Sequence, residues 1–196
     1  MKLLFLLLFL STLTQALEPH TATYSLSVAG FKIADERRVL SQKNNIYYYS
    51  AHAKTSGPMS LFKDYEIDAK SSFIIDEFGL KSKHYQYFER DGKTIKKDIN
   101  IRPENQQIDP LSLFLALSQA LEKNPAQTDF YFLVNDGEEI KRHHYQQAKS
   151  EDKNLIKIIR PGKQLEAYFA KDKNYFPVLI KSKKITLQLQ QNQTKN

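Results

Sequence analysis

The sequence predicts a mainly β protein: a strongly curved antiparallel sheet, half-barrel-like, wrapping one central apolar helix. Three observations carry this reading. Short segments in which apolar and polar residues alternate with period two run through most of the chain. Turn residues punctuate these segments at short intervals, which favours hairpins and therefore antiparallel pairing. One stretch, DPLSLFLALSQALEK at residues 109–123, breaks the pattern with helical periodicity and too little polar surface to lie in water.

Residues 1–16 read as a cleaved signal peptide. Lys2 gives a short positive start, Leu3 to Leu10 form an unbroken apolar run, and Thr14-Gln15-Ala16 offers small residues at the two positions a signal peptidase inspects. The run is shorter than the roughly 20 apolar residues a bilayer span needs. No cysteine follows it to carry a lipid. The expected location is the bacterial periplasm, with cleavage after Ala16 and no transmembrane segment in the mature chain.

Residues 17–189 then form a single β-rich domain. Tyr24, Leu26 and Val28 alternate with serines up to Gly30, and Phe31 and Ile33 begin a strand that continues toward Leu40. After Lys43-Asn44-Asn45 a tyrosine-rich strand covers 46–53, and Ser56-Gly57-Pro58 breaks the chain. Strands follow at 65–69, 72–75 and 84–88. Asp91-Gly92 marks a tight hairpin whose return strand carries Ile95, Ile99 and Ile101. Beyond the helix come 130–134, a hairpin at Asp136-Gly137, 139–145, 155–159, a turn at Arg160-Pro161-Gly162-Lys163, and strands at 165–170, 178–181 and 185–189. Residues 190–196 carry no apolar side chain and are expected to be a disordered tail.

The helix begins well. Asp109 can accept from the exposed first-turn amides, and Pro110 sits where a missing N–H costs nothing, so both are structural residues. At 100° per residue Leu113, Phe114, Leu117, Ala120 and Leu121 share one face. Leu111 and Leu115 cover a second sector beside Ser118. Ser112, Ala116, Gln119 and Lys123 form the mostly polar stripe. Burying each leucine is worth roughly 1.5–3 kcal/mol, so the helix must be largely enclosed. Either helix and sheet interdigitate fully, or a gap between them accepts an acyl chain or another apolar ligand, with Leu111, Phe114, Leu115 and Ser118 as its contacts.

The formal charge is +7, and the excess is densest near the end, where Lys171, Lys173, Lys181, Lys183 and Lys184 meet only Asp172. Lys181, Lys183 and Lys184 are the candidate contacts to an anionic envelope component. Nucleic acid is disfavoured by the export signal and by the lack of an arginine cluster or recognition-helix pattern.

The chemistry of a catalytic site is not visible. The chain has no cysteine, which excludes disulfides, thiol catalysis and thiolate metal sites. It has no G-x-S-x-G, no H-E-x-x-H, no P-loop and no glycine-rich dinucleotide fingerprint. His143 and His144 are adjacent on a strand, so their side chains leave on opposite faces and cannot chelate together. His20, His52 and His84 are scattered surface or half-buried strand residues. No catalytic residue, metal ligand or cofactor is assigned.

The segments TATYSLSVAGFKIADERRV, FGLKSKHYQYFERDGK, IDPLSLFLAL, FLVNDGEEIKRHHY and AKDKNYFPVLIKSKK together resemble domain of unknown function family 3108. Asp109-Pro110-Leu111-Ser112 is the most specific piece, supported by Asp172 to Pro177 before the final hairpin. Members show a tryptophan ahead of the late aspartate, where this chain has Tyr168 and Phe169. The resemblance implies export from bacteria and a curved antiparallel sheet with helical filling, a fold-level similarity shared with periplasmic lipoprotein carriers. The functional expectation is a binding or interaction module of the cell envelope, holding an apolar ligand between sheet and helix. The alternative is a structural envelope protein that binds anionic polymers or a protein partner through its lysine-rich surface, and a hydrolase ranks third.

Overall fold

The structure, a computed structural model, describes residues 17–56, 60 and 64–194. The expected signal peptide at 1–16, the Gly57-Pro58 break and the last two residues of the expected tail lie outside the described residues. Thirteen strands and one helix follow in chain order: β1 His20–Val28, β2 Phe31–Lys43, β3 Ile46–Thr55, β4 Tyr65–Asp76, β5 Gly79–Asp91, β6 Thr94–Ile101, β7 Gln107–Ile108, α1 Leu113–Lys123, β8 Asp129–Asn135, β9 Ile140–Ala148, β10 Leu155–Ile159, β11 Leu165–Ala170, β12 Phe176–Ser182 and β13 Ile185–Thr194. A 3₁₀ turn, Lys171–Lys173, precedes β12.

All thirteen strands form one sheet in the order β6-β5-β4-β3-β2-β1-β13-β12-β11-β10-β9-β8-β7. Two meanders meet at its centre, where β1 pairs antiparallel with β13 from Val28↔Ile185 to His20↔Thr194. Every pairing is antiparallel except the short β7 against β8, Gln107↔Leu133 and Ile108↔Val134. Parallel neighbours need a crossover, and α1 is that crossover. It carries the chain from the end of the first meander to the start of the second, along the concave side of the sheet.

Period-two alternation decides which side chains line that concavity. Ala22, Tyr24 and Leu26 of β1, Ala34 and Leu40 of β2, Tyr47, Tyr49 and Ala51 of β3, and Phe73 of β4 are all buried. Leu111, Leu113, Leu115, Ala116, Leu117 and Leu121 share one core with Leu40, Tyr47, Tyr49, Ala51, Phe73, Tyr85, Phe130, Tyr145 and Phe169, while Leu26, Ala34 and Ala53 form a second, smaller cluster. Ser112 and Ala116, expected on the polar stripe of the helix, are buried as well. Because α1 lies inside the curl and not upon it, its exposed positions shift to the carboxyl-terminal half: Lys123 is exposed, with Gln119 and Glu122 half-buried.

Three further expectations are corrected. Residues 190–194 belong to β13 and are not a frayed tail; they gain order from ladder hydrogen bonds to β1 without contributing apolar surface. The hairpin after β5 turns on Gly92 and Lys93, with Gly92 at φ +60°, one residue later than Asp91-Gly92. His20 is buried, 6 % exposed, edge-on to Phe176 at 5.0 Å.

Asp109 holds a different place from a simple cap. The helix starts at Leu113, with Ser112 as its boundary residue, and Asp109 stands one turn ahead. Its Oδ1 accepts from the amides of Leu111 and Ser112, each at 2.9 Å. Its Oδ2 accepts from three hydroxyls: Ser71 of β4 at 2.6 Å, Ser82 of β5 at 2.5 Å and Ser112 at 2.8 Å. The Asp109 amide in turn donates to Ser82 Oγ at 2.9 Å. This carboxylate is 0 % exposed, and it joins the segment after β7, one end of the sheet, to β4 and β5 near the other end. A Lys97–Glu138 ion pair of 3.0 Å spans the same seam. Gly137, at φ +89°, lies so close to Ile99 that a Cβ would fall 2.4 Å from Ile99 Cγ2.

A second buried polar group lies on β2. Arg38 donates to Glu36 at 2.5 Å, both side chains being buried, and its guanidinium lies 4.9 Å from the Tyr24 ring centre. The Tyr24 hydroxyl donates to the carbonyl of Pro177 at 2.8 Å, tying β1 to β12. His20 Nδ1 lies 2.8 Å from the Glu18 carbonyl.

Two stability predictions follow from these groups. Asp109→Ala strands two amides and three hydroxyls in the interior, so it should lower the urea-unfolding free energy by about 3 kcal/mol or more. A loss near the roughly 1 kcal/mol of an ordinary cap would show that the carboxylate does not close the sheet. The second concerns pH. Burial, reinforced by Arg38, lowers the His20 pKa from 6.5. Burial first, then Arg160, lowers His143 to about 4. Above pH 6.5 both states are neutral at these sites; as pH falls below 6.5 the unfolded chain takes up protons that the folded chain refuses, and stability is lost toward pH 4. The lowered carboxylates Asp129 and Glu166 lose their contribution only as pH falls from their ordinary 3.8 and 4.5. Thermal melts between pH 6.5 and 5 should therefore flatten in a His20→Gln/His143→Gln variant; an unchanged slope would contradict the assignment.

Candidate functional site

An antiparallel meander places every second turn at the same end of the sheet, and this brings two cationic turns together. The β10–β11 connection, residues 160–164, and the β12–β13 turn at Lys183 and Lys184 share one rim because β11 and β12 pair with Leu165 opposite Ser182. Backbone hydrogen bonds fix both: the amide of Arg160 to the carbonyl of Leu165 (3.2 Å), that of Lys163 to Arg160 (3.0 Å), and that of Lys183 to Gln164 (2.9 Å). Gly162 at φ +70° and Lys183 at φ +50° make the sharp corners.

Between these turns lies a cleft of 430 Å³ with Arg160, Lys163, Lys181 and Lys183 among its lining residues. Its one carboxylate, Glu166, is already engaged: Oε1 accepts from Lys157 Nζ at 2.7 Å and Oε2 from the Tyr168 hydroxyl at 2.9 Å. The hydrogen bond from Lys157, then that from Tyr168, holds the Glu166 pKa below its usual value. Tyr168 lies on the outer face with Lys157 Nζ 5.6 Å and Lys181 Nζ 5.7 Å from its ring centre. Four cations thus face one anion that is spent on a neighbour. Such a surface concentrates anions, and salt screens it.

The lysines expected from sequence divide between the cleft and its margin: Lys181 and Lys183 line it, and Lys184 occupies the same turn, where its carbonyl accepts from Ala29. Arg160 and Lys163 were legible only as turn residues, although turn-to-turn counting along the meander places them opposite Lys183. The four apolar-site candidates lie elsewhere. Leu111, Leu115 and Ser118 are buried at 7, 2 and 5 % exposure, and Phe114 packs half-buried against the same core. Ser118 Oγ donates to the carbonyl of Tyr175 at 2.7 Å, so it binds helix to chain. None of the four lines the basic cleft or a second one, of 460 Å³, at the opposite rim.

His143 and His144 stand on opposite faces of β9. His143 points inward, with Nδ1 3.1 Å from the Tyr145 hydroxyl. His144 lies on the outer face, stacked on Tyr131 at 4.6 Å with Nε2 2.7 Å from Asp129. Among the described residues no group of three His, Cys, Asp or Glu side chains is arranged to hold a metal ion. No helix among them is long and apolar enough to cross a membrane.

No family model matches the chain, so family 3108 finds no support there, and no curated protein is detectably similar in sequence. A solved structure is similar in fold: the crystal structure of a β-barrel-like protein of domain of unknown function DUF1849 from Brucella abortus. The two superpose with a TM-score of 0.50 at 10 % identity, over 93 % of this chain and all of the other. The likeness is one of architecture, a large curled sheet in a protein of a domain of unknown function.

Proposed function

We propose that this chain is a non-catalytic binding module of the bacterial cell envelope, exported by residues 1–16 to the periplasm, that grips an anionic envelope polymer through its basic rim. Membership of domain of unknown function family 3108 is part of the same reading. The observation that carries it is the cleft in which Arg160, Lys163, Lys181 and Lys183 converge while Glu166 is committed to Lys157 and Tyr168. An extended polyanion suits the site better than a small ion. The cations of the cleft are spread over the β10–β11 turn (Arg160, Lys163), β12 (Lys181) and the β12–β13 turn (Lys183), and Lys157 extends the charge along the outer face beside Tyr168.

The apolar-ligand reading has less support. Leucines and aromatic rings fill the space around α1, and Ser118, its one polar candidate, already donates to Tyr175.

Binding can be measured by fluorescence anisotropy with labelled polygalacturonate as the probe polyanion. Affinity should fall steadily from low to physiological salt. It should drop about tenfold or more in Arg160→Gln/Lys181→Gln/Lys183→Gln, a loss of about 1.4 kcal/mol or more. Indifference to both salt and substitution would remove the proposal; binding confined to phosphatidylglycerol vesicles would replace the polymer with a lipid surface.

A further inference from the structure

The rim opposite the basic cleft holds a second cavity whose chemistry is different. It measures 460 Å³ and opens between the β9–β10 loop, the 3₁₀ turn at Lys171–Lys173 and Pro125 at the exit of α1. This is within the roughly 300–1,000 Å³ range of small-molecule sites. Pro125, Ala148, Leu155, Ile156 and Tyr175 give it an apolar side, and Gln147, Ser150, Asp152, Lys153 and Lys171 a polar one.

Two features mark it as more than a surface irregularity. Ser150 Oγ is withdrawn from solvent and has no hydrogen-bond partner. A buried hydroxyl left without a partner is unfavourable, so the wall of this cavity carries an unmet hydrogen bond. Tyr175 is a bulky residue at φ +54°, following Asn174 at φ +50°. Two successive left-handed residues of this kind are strained and persist only where their surroundings hold them. Here the hold is the Ser118 hydroxyl on the Tyr175 carbonyl, 2.7 Å away. The helix therefore fixes the one aromatic residue of the cavity.

The polar lining has donors and acceptors left over. Lys171 Nζ donates to the Lys153 carbonyl at 2.7 Å, tying the 3₁₀ turn to the β9–β10 loop, and the exposed Lys153 side chain lines the cavity beside it. Asp152 Oδ1 accepts from the Asn154 amide at 2.8 Å, and its second oxygen can take a ligand hydroxyl. Gln147 Nε2 donates to the Pro125 carbonyl at 3.4 Å and keeps its own carbonyl. Hydroxyl groups that both give and accept, on a ring with an apolar C–H face for Tyr175 and Leu155, match this lining; two lysines against one aspartate add a preference for negative charge.

We infer that this cavity is a binding site for an acidic saccharide, separate from the basic cleft and independent of its residues. The experiment is a titration of the isotopically labelled full chain with digalacturonate, followed by amide NMR, with maltose as the neutral comparison. Shifts should cluster at Ser150, Lys153, Lys171 and Tyr175. Affinity should weaken about tenfold in Lys153→Gln/Lys171→Gln, about 1.4 kcal/mol, and should be unchanged in Lys181→Gln/Lys183→Gln. Ser118→Ala, which touches no ligand, should also weaken binding while spectra remote from Tyr175 stay superimposable. No shifts at about 10 mM, a range that would still detect millimolar binding, would overturn the inference. So would shifts confined to the residues of the basic cleft, or maltose binding as tightly as digalacturonate.

Discussion

The fold depends on one buried carboxylate. A thirteen-stranded sheet has two free ends, and an open sheet of this length must find some way to finish its curl. Asp109 supplies it. Standing directly after β7 at one end of the sheet, it takes hydroxyl hydrogen bonds from β4 and β5 near the other, and two amides from the chain that leads into α1. One side chain thus sets both how far the sheet curls and where the helix enters it. Charge-assisted bonds to five donors allow the carboxylate to stay in a site without solvent.

Once α1 is fixed at its start, the rest of the interior follows. Its leucines meet Phe73, Tyr85, Phe130 and Tyr145, and its middle is fastened by Ser118 to the chain ahead of β12. The concavity is occupied by the protein's own helix. The two clefts lie at the rims, where the connections of the meanders gather. Alternate turns share an end, so the chain has two chemically distinct surfaces at once: clustered cations at one rim, and a mixed cavity beside Tyr175 at the other. Between them run the short strands β10, β11 and β12.

Much of this was legible in the sequence. Alternation located the longer strands, and the circumference of residues 109–123 showed that the helix could not face water. The inward place of Glu36 and Arg38 was not legible, since β2 carries apolar residues on both parities, Phe31, Ile33 and Val39 on one and Ala34 and Leu40 on the other. Other features were beyond local pattern. β7 is two residues long, too short for any period. Residues 190–194 look like a tail because they have no apolar side chains, yet β1 offers them a ladder. The serines that partner Asp109 lie 38 and 27 positions away, and nothing about an isolated serine in a strand announces a carboxylate. The lysines of the β12–β13 turn were visible as a charge run, but their convergence with Arg160 and Lys163 needs the order of the strands. The strained bend at Asn174 and Tyr175 has no sequence signal, since a tyrosine with positive φ is the exception to its own preference.

The central claim is that α1 is part of the core and not a lid that opens on a ligand. Native-state hydrogen exchange tests it most directly. If helix and sheet form one cooperative unit, the amides of Leu117 and Leu121 exchange only through global unfolding, with the same opening free energy as those of Tyr49 and Ser71 in the neighbouring strands. Exchange of the helix through a separate, lower-energy opening while β3 and β4 stay protected would contradict the account.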